Sequence, residues 1–261
     1  MKTFNYHSAK DVKEATKLAS SNSAYLAGGM TTIPSIKLGL ATYKDVIDIK
    51  NIKKISGIKI STKTVTIGAT TKHSEVANSK DIKKAISSLA SLAEGIGDPQ
   101  VRNRGTIGGS VANNDPAADY PSACIALNAT IHTNDRKIEA KKFFKGMFET
   151  ALKKGELIEA VEFEIPEKSC YQKLPNPASR YAVVGVYVAK YKNGVNVAVT
   201  GAKASVYNEE NISNALSSNF SSSSIENIKI SSSDMNSDIH ASAKYRADMV
   251  KIFAKKAVEA C

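Results

Sequence analysis

The sequence predicts an α+β chain with a large N-terminal domain over 1–166 and a smaller C-terminal domain over 170–261. Three observations carry this. Residues 1–50 read β-α-β: Tyr25-Leu26-Ala27 as a strand, Ile33–Leu38 as a short helix, Asp45–Asp48 as a second strand. Beyond them, alternating runs read as antiparallel hairpins around an amphipathic helix. Finally, Pro166 and the polar Glu167-Lys168-Ser169 separate these from two β-rich runs joined at Asn193-Gly194, a strong hairpin turn signal. The N-terminal domain divides into subdomains of about 1–54 and 55–166. The C-terminal domain is expected to hold a three-stranded antiparallel sheet and helices.

Taken in order, Ser8 with Asp11 resembles a capping box ahead of a helical stripe of Val12, Ala15, Leu18 and Ala19. Ile58–Ile60 and Val65–Ile67 alternate around a polar turn. Thr70–Glu75 is polar and could start a helix, which makes His73 a cap-region residue rather than a ligand. Ile82, Ile86, Leu89, Ala93 and Ile96 recur at steps of three and four, predicting one helix from Asp81 to about Glu94. Ala118–Leu127 reads as helical with Cys124 on its apolar face, and Ala129–Thr133 with Lys137–Glu139 as a hairpin. Phe143, Phe144, Met147 and Phe148 read as a core aromatic cluster. Val161, Phe163 and Ile165 alternate until Pro166. Tyr181–Tyr191 and Val195–Val206 are the β-rich runs. The serine-rich 213–237 contains Leu216, Phe220, Ile225, Ile228 and Ile230, so it reads as ordered. Tyr245, Met249, Ile252 and Phe253 predict a final amphipathic helix.

Composition narrows the function. There are 36 Lys+Arg against 25 Asp+Glu, a net charge of +11, but the lysines are scattered and no nucleic-acid motif accompanies them. The three cysteines are far apart with no C-x-x-C, so neither a disulfide framework nor a metal site is indicated. No apolar run suits a membrane span, and the N-terminus lacks an apolar signal core, so a cytoplasmic location is expected. No G-x-G-x-x-G, P-loop, G-x-S-x-G or H-E-x-x-H occurs.

Two glycine loops remain. Leu26-Ala27-Gly28-Gly29-Met30-Thr31-Thr32 is one. The other lies in Gly97–Pro121, GDPQVRNRGTIGGSVANNDPAADYP, which is rich in small and hydroxyl residues. Each combines a glycine pair with hydroxyl side chains, and such turns form concavities that suit phosphate. Together they suggest a diphosphate held from two sides. Read alone, either loop could be a simple turn.

At these motifs, and at 143–152, Asn176–Ala182 and Tyr245-Arg246-Ala247, the chain resembles the FAD-binding medium subunit of the molybdenum hydroxylases, the carbon-monoxide-dehydrogenase-like and xanthine-dehydrogenase-like complexes. The resemblance implies a two-subdomain, PCMH-like FAD domain. It implies that Ala27, Gly28, Gly29, Met30, Thr31 and Thr32, with Thr106, Ile107, Gly108, Gly109 and Ser110, grip the FAD pyrophosphate through N–H groups and hydroxyls. Asp119 would accept from a ribityl or ribose hydroxyl, and Lys173 would contact the flavin. Tyr181 could stack on the isoalloxazine or be a strand-end core residue. Arg102 and Arg104 could neutralise phosphate or face a partner. The resemblance also implies partners: a large molybdopterin subunit and a small subunit with two [2Fe–2S] clusters, in a dimer of heterotrimers, with peripheral membrane association left open. Electrons would pass to a quinone, oxygen or NAD. A free-standing FAD oxidase and a cofactor-less assembly subunit are the alternatives.

Overall fold

The structure, a computed structural model, describes residues 2–261. Its N-terminal part is a three-stranded parallel sheet. Strand β1 (Asn5–Ser8), helix α1 (Val12–Leu18), β2 (Ser23–Leu26), α2 (Thr32–Lys37) and β3 (Asp45–Asp48) follow in order, with β3 central between β1 and β2. The N-cap of α1 is Asp11, three residues later than Ser8 suggested. Ser8 is extended and paired with Asp48, while the Asp11 carboxylate accepts from the Glu14 N–H at 2.8 Å and Glu14 accepts from the Lys10 N–H at 2.8 Å. A small core of Val12, Ala15, Ile47, Ile52, Ile55 and Leu157 lies beneath.

The second part is a five-stranded antiparallel sheet covered by helices. It comprises β4 (Ile58–Ile60), β5 (Thr64–Gly68), α3 (His73–Asn78), α4 (Lys80–Ala85), α5 (Ser87–Glu94), α6 (Pro99–Arg102), α7 (Ile107–Asn113), α8 (Tyr120–Ala126), β6 (Thr130–Thr133) and β7 (Lys137–Glu139). Then follow α9 (Ala140–Phe143), the short hairpin β8 (Phe144–Gly146) and β9 (Glu149–Thr150), and β10 (Ile158–Glu164). The sheet order is β4-β5-β10-β6-β7. The helix expected over 81–94 is two helices. Ile86 leaves helical geometry at φ −144°, ψ 78°, yet stays buried. The break lets Ser88 on α5 hydrogen-bond both the Tyr187 hydroxyl and the Ser169 hydroxyl at 2.6 Å. Only half of the expected aromatic cluster is core. Phe143 is fully buried, but Met147 and Phe148 are exposed on a tight hairpin that holds Phe148 at φ +56°.

The third part is a sheet of β11 (Lys168–Pro175), β12 (Ala182–Tyr191), β13 (Gly194–Thr200) and β14 (Tyr207–Asn208), in that order. The two-residue β14 makes it four-stranded rather than three, by pairing with Ala198 and Val199. Alternation along β12 gives it two cores: Val184, Val186 and Val188 face one side, Tyr187 and Ala189 the other. The valine side is covered by α10 (Glu210–Ser218) and α11 (Ala243–Glu259). The buried stripe of α11 is Arg246, Ala247, Val250, Phe253, Ala254 and Ala257, offset from the expected one. Tyr245 and Ile252 are exposed, because small alanines let the helix approach closely and Arg246 reaches in to the Val183 and Gly201 carbonyls and to Asp238. Among the described residues no helix is long and apolar enough to cross a membrane.

Candidate functional site

A cleft of about 600 Å³ opens where the three parts meet, a volume suited to a sizeable ligand. Both glycine loops line it. The first follows β2 and leads into α2; the second leads from α6 into α7. They touch: a Cβ added to Gly28 would lie 2.1 Å from the Arg104 carbonyl oxygen and 2.8 Å from Gly105 Cα. Only glycine permits that approach.

Their main-chain donors differ. In the first loop, Gly29 turns the backbone at φ +76°. The carbonyls of Gly29 and Thr31 accept from Ile33 and Ser35 at 3.1 Å, but no N–H from Gly29 through Thr32 donates to another group of the described residues. Successive free N–H groups around a left-handed residue form an anion-holding concavity. In the second loop the expected N–H grip is not free. Ile107 N–H donates to Thr71 O at 3.1 Å and Gly108 N–H to Ala69 O at 2.9 Å. Ser110 N–H donates to Thr106 O at 3.0 Å, and Gly109 N–H to the Thr106 hydroxyl oxygen at 3.2 Å. These bonds dock the loop onto the strand end beyond β5, and Gly108 packs there with no room for a Cβ, which would come 2.5 Å from that of Ala69. What this loop offers the cleft is the open face of Gly109 and the Thr106 and Ser110 hydroxyls.

Ala27, Gly28, Gly29, Met30, Thr31, Thr32, Thr106, Gly108, Gly109, Ser110 and Asp119 all line the cleft. Ile107 and Lys173 do not. Ile107 is fully buried behind the second loop. The Lys173 ammonium sits 3.0 and 3.1 Å from the two Asp119 carboxylate oxygens and donates to the Gly95 and Arg180 carbonyls at 2.9 Å each. Asp119 also accepts from the Tyr171 hydroxyl at 2.5 Å. That ring reaches Asp119 by crossing Gly185, where a Cβ would lie 2.3 Å from its oxygen. Burial pushes the Asp119 carboxyl upward, opposed by Lys173 and Tyr171. The pair therefore braces the wall: it ties β11 to the start of α8, to the end of α5 and to the 176–181 turn.

The other arginines and aromatics fall plainly. Arg102 donates to the Ile96 and Gly97 carbonyls at 3.0 and 2.8 Å, holding the turn before α6. Arg104 is exposed. Tyr181 is not a core residue: it is 43% exposed on the cleft rim. Met30, 40% exposed, faces the same cleft. Sequence reasoning set His73 aside as a cap residue. It does open α3, but its ring is buried in the cleft wall and Nδ1 has no hydrogen-bond partner. Strand β11 and the role of Tyr171 were not anticipated; Tyr171-Gln172-Lys173 shows no alternation that would reveal them.

Residues 2–168 match the family described as FAD binding domain in molybdopterin dehydrogenase. The chain is 32% identical to the glyceraldehyde dehydrogenase medium chain of Sulfolobus acidocaldarius, covering 97% of this chain and 96% of that one. It is 31% identical to the carbon monoxide dehydrogenase medium chain of Hydrogenophaga pseudoflava, covering 98% and 96%. Among solved structures, a reconstituted CO dehydrogenase from Oligotropha carboxidovorans superposes with a TM-score of 0.91 at 26% identity, covering 99% of this chain and 97% of that one.

Proposed function

The chain belongs to the family of FAD-binding domains of molybdopterin dehydrogenases, and on that premise we propose that it is the electron-transfer subunit that receives electrons from [2Fe–2S] clusters of a partner chain and delivers them to an external acceptor. The observation that carries this reading is the pair of abutting loops, with four successive unspent N–H groups on the one that lines the cleft of about 600 Å³. Charge-assisted N–H···O⁻ bonds are short and strong, so the first loop is the natural seat for the diphosphate of FAD. The Thr106 and Ser110 hydroxyls close on it from the other side, and Tyr181 on the rim is the aromatic face available to the flavin ring.

Bound there, FAD supplies reversible acceptance and release of electrons. This chain's own residues bind it, orient it and fix its surroundings. The buried Asp119–Lys173–Tyr171 brace holds the wall rigid, and no side chain of the cleft is required to act on the oxidised substrate. The relatives are named as medium chains, which supports a larger and a smaller partner; in this reading the large one bears molybdopterin, the small one the iron–sulfur clusters, and the assembly is a dimer of heterotrimers.

The test uses the full chain loaded with FAD. Adding the reduced iron–sulfur partner should bleach the flavin absorbance, and an acceptor such as a quinone should restore it. Bleaching by an organic substrate with no partner present would instead indicate a free-standing oxidase. A chain that retains no FAD with or without its partners would be an assembly subunit.

A further inference from the structure

Among the described residues, His73 is the one histidine of the cleft wall. Its main-chain N–H donates to the Gly105 carbonyl at 2.9 Å, which sets the ring beside the second loop. The ring lies 5.4 Å from that of Tyr120, tilted at 44°. A Cβ on Gly105 would come within 2.6 Å of His73 Nε2 and 2.8 Å of Cδ2. The glycine therefore places no side chain of its own over that edge of the imidazole. On the far edge, Nδ1 is buried with no partner. Burial, aided by the nearby Arg102 charge, pulls the His73 pKa down to about 4, so the ring is neutral in ordinary buffers. A neutral imidazole carries one N–H and one lone pair. Since Nδ1 has no acceptor to donate to, the proton belongs on Nε2, the nitrogen beside Gly105, and an N–H on a ring only 5% exposed is costly unless an acceptor completes it. The first loop presents Met30 to the same cleft, and its side chain has no donor.

We propose that His73, through Nε2–H, is a further arm of the clasp, donating a hydrogen bond to a phosphate oxygen of the bound dinucleotide beside Gly105. The proposal rests on the FAD reading above. It predicts a contact from the α3 wall that neither glycine loop supplies. The competing role is structural, with the ring serving only to pack against Gly105.

The experiment titrates the full chain and two variants, His73→Leu and His73→Gln, with FAD, ADP and adenosine, and records the thermal midpoint of each unliganded protein. His73→Leu should bind FAD and ADP roughly ten- to a hundred-fold more weakly, as for one lost bond to a charged acceptor. Adenosine should be little affected, and His73→Gln, which keeps an N–H donor, should recover most of the loss. Equal weakening toward adenosine, or unchanged FAD affinity in a variant with an unchanged midpoint, would overturn the proposal. Should His73→Leu fail to fold, the unaltered chain still decides: the His73 ring nitrogen resonances must move on adding ADP, and fixed resonances would refute the contact. Failure of the unaltered chain and its loaded complex to bind FAD at all would overturn the FAD reading and this inference with it.

Discussion

The two glycine loops look alike in composition and differ in what they have left to give. The first, Gly28–Thr32, keeps its N–H groups from Gly29 onward unspent and projects a partly exposed Met30 into the cleft. The second, Gly105–Ser110, has committed its N–H groups from Ile107 onward to Thr71, Ala69 and Thr106, with Ile107 buried in the main core. One loop is therefore ligand-facing backbone. The other is a buttress that sets the first loop's position and adds hydroxyls. Similar sequence chemistry serves different ends, because neighbouring strands claim the donors of one loop and not the other.

The largest effect should come from Gly28→Val, which attacks the join itself. Its Cβ would collide with the Arg104 main chain. Loss of stability on the order of 3 kcal/mol and no retained FAD are expected, measured by thermal unfolding and by flavin content after gel filtration. Normal flavin content would mean that the loops need not touch. Gly108→Val tests the buttress. The clash with Ala69 should cost about 2 kcal/mol, so the unfolding midpoint should fall and FAD affinity should drop with it.

Gly29→Ala tests the ligand-facing loop. The backbone at φ +76° disfavours any side chain, by roughly 1–2 kcal/mol. Here affinity should fall about ten-fold, and the midpoint should fall by no more than for Gly108→Val, so that lost binding outweighs lost stability. Ser110→Ala removes one hydroxyl from the cleft wall and should weaken FAD about three-fold with no change in midpoint. Acid should separate the loops least. Neither loop carries a titrating side chain, and His73 stays neutral until about pH 4. Neither loop should therefore add any pH dependence to FAD affinity between roughly pH 5.5 and 8; any that fluorescence titration reads should come from the cleft carboxyls Asp115 and Asp119, which burial pushes upward.

Stability should respond at lower pH, through Glu156. Burial alone would raise that carboxyl, but Arg136, the Lys153 N–H and the Thr133 hydroxyl outweigh it and hold it at about 2. Its contribution is complete above its unfolded value near 4.5 and fades as pH falls through about 2. Glu156→Gln should shrink this acid-dependent part of the unfolding curve.

Much of the fold was legible because local pattern decided it. The β-α-β opening, the 58–67 and 129–139 hairpins and the Asn193-Gly194 turn all depend on neighbours in sequence. The glycine loops were legible for the same reason. What escaped depends on distant partners. Ile86 interrupts a perfect helical stripe because α5 must reach the Tyr187 and Ser169 hydroxyls. Strand β11 hid because its inward residues, Tyr171 and Lys173, are polar and find Asp119 some fifty positions away. The spending of the second loop's donors is invisible in GTIGGS, since the acceptors lie at Ala69 and Thr71. His73 reads as a cap residue because no second His, Cys or carboxylate stands at ligand spacing from it, whereas what sets its ring apart is its approach to Gly105, distant in sequence.

The Lys173 brace has an evolutionary and practical corollary. The matched family region stops at residue 168, yet the ammonium that rivets the cavity's side comes from five positions beyond it. The C-terminal third is thus a keystone rather than an appendix. A fragment trimmed to the family boundary would keep both glycine motifs and still leave the Asp119 anion stranded without its counter-charge.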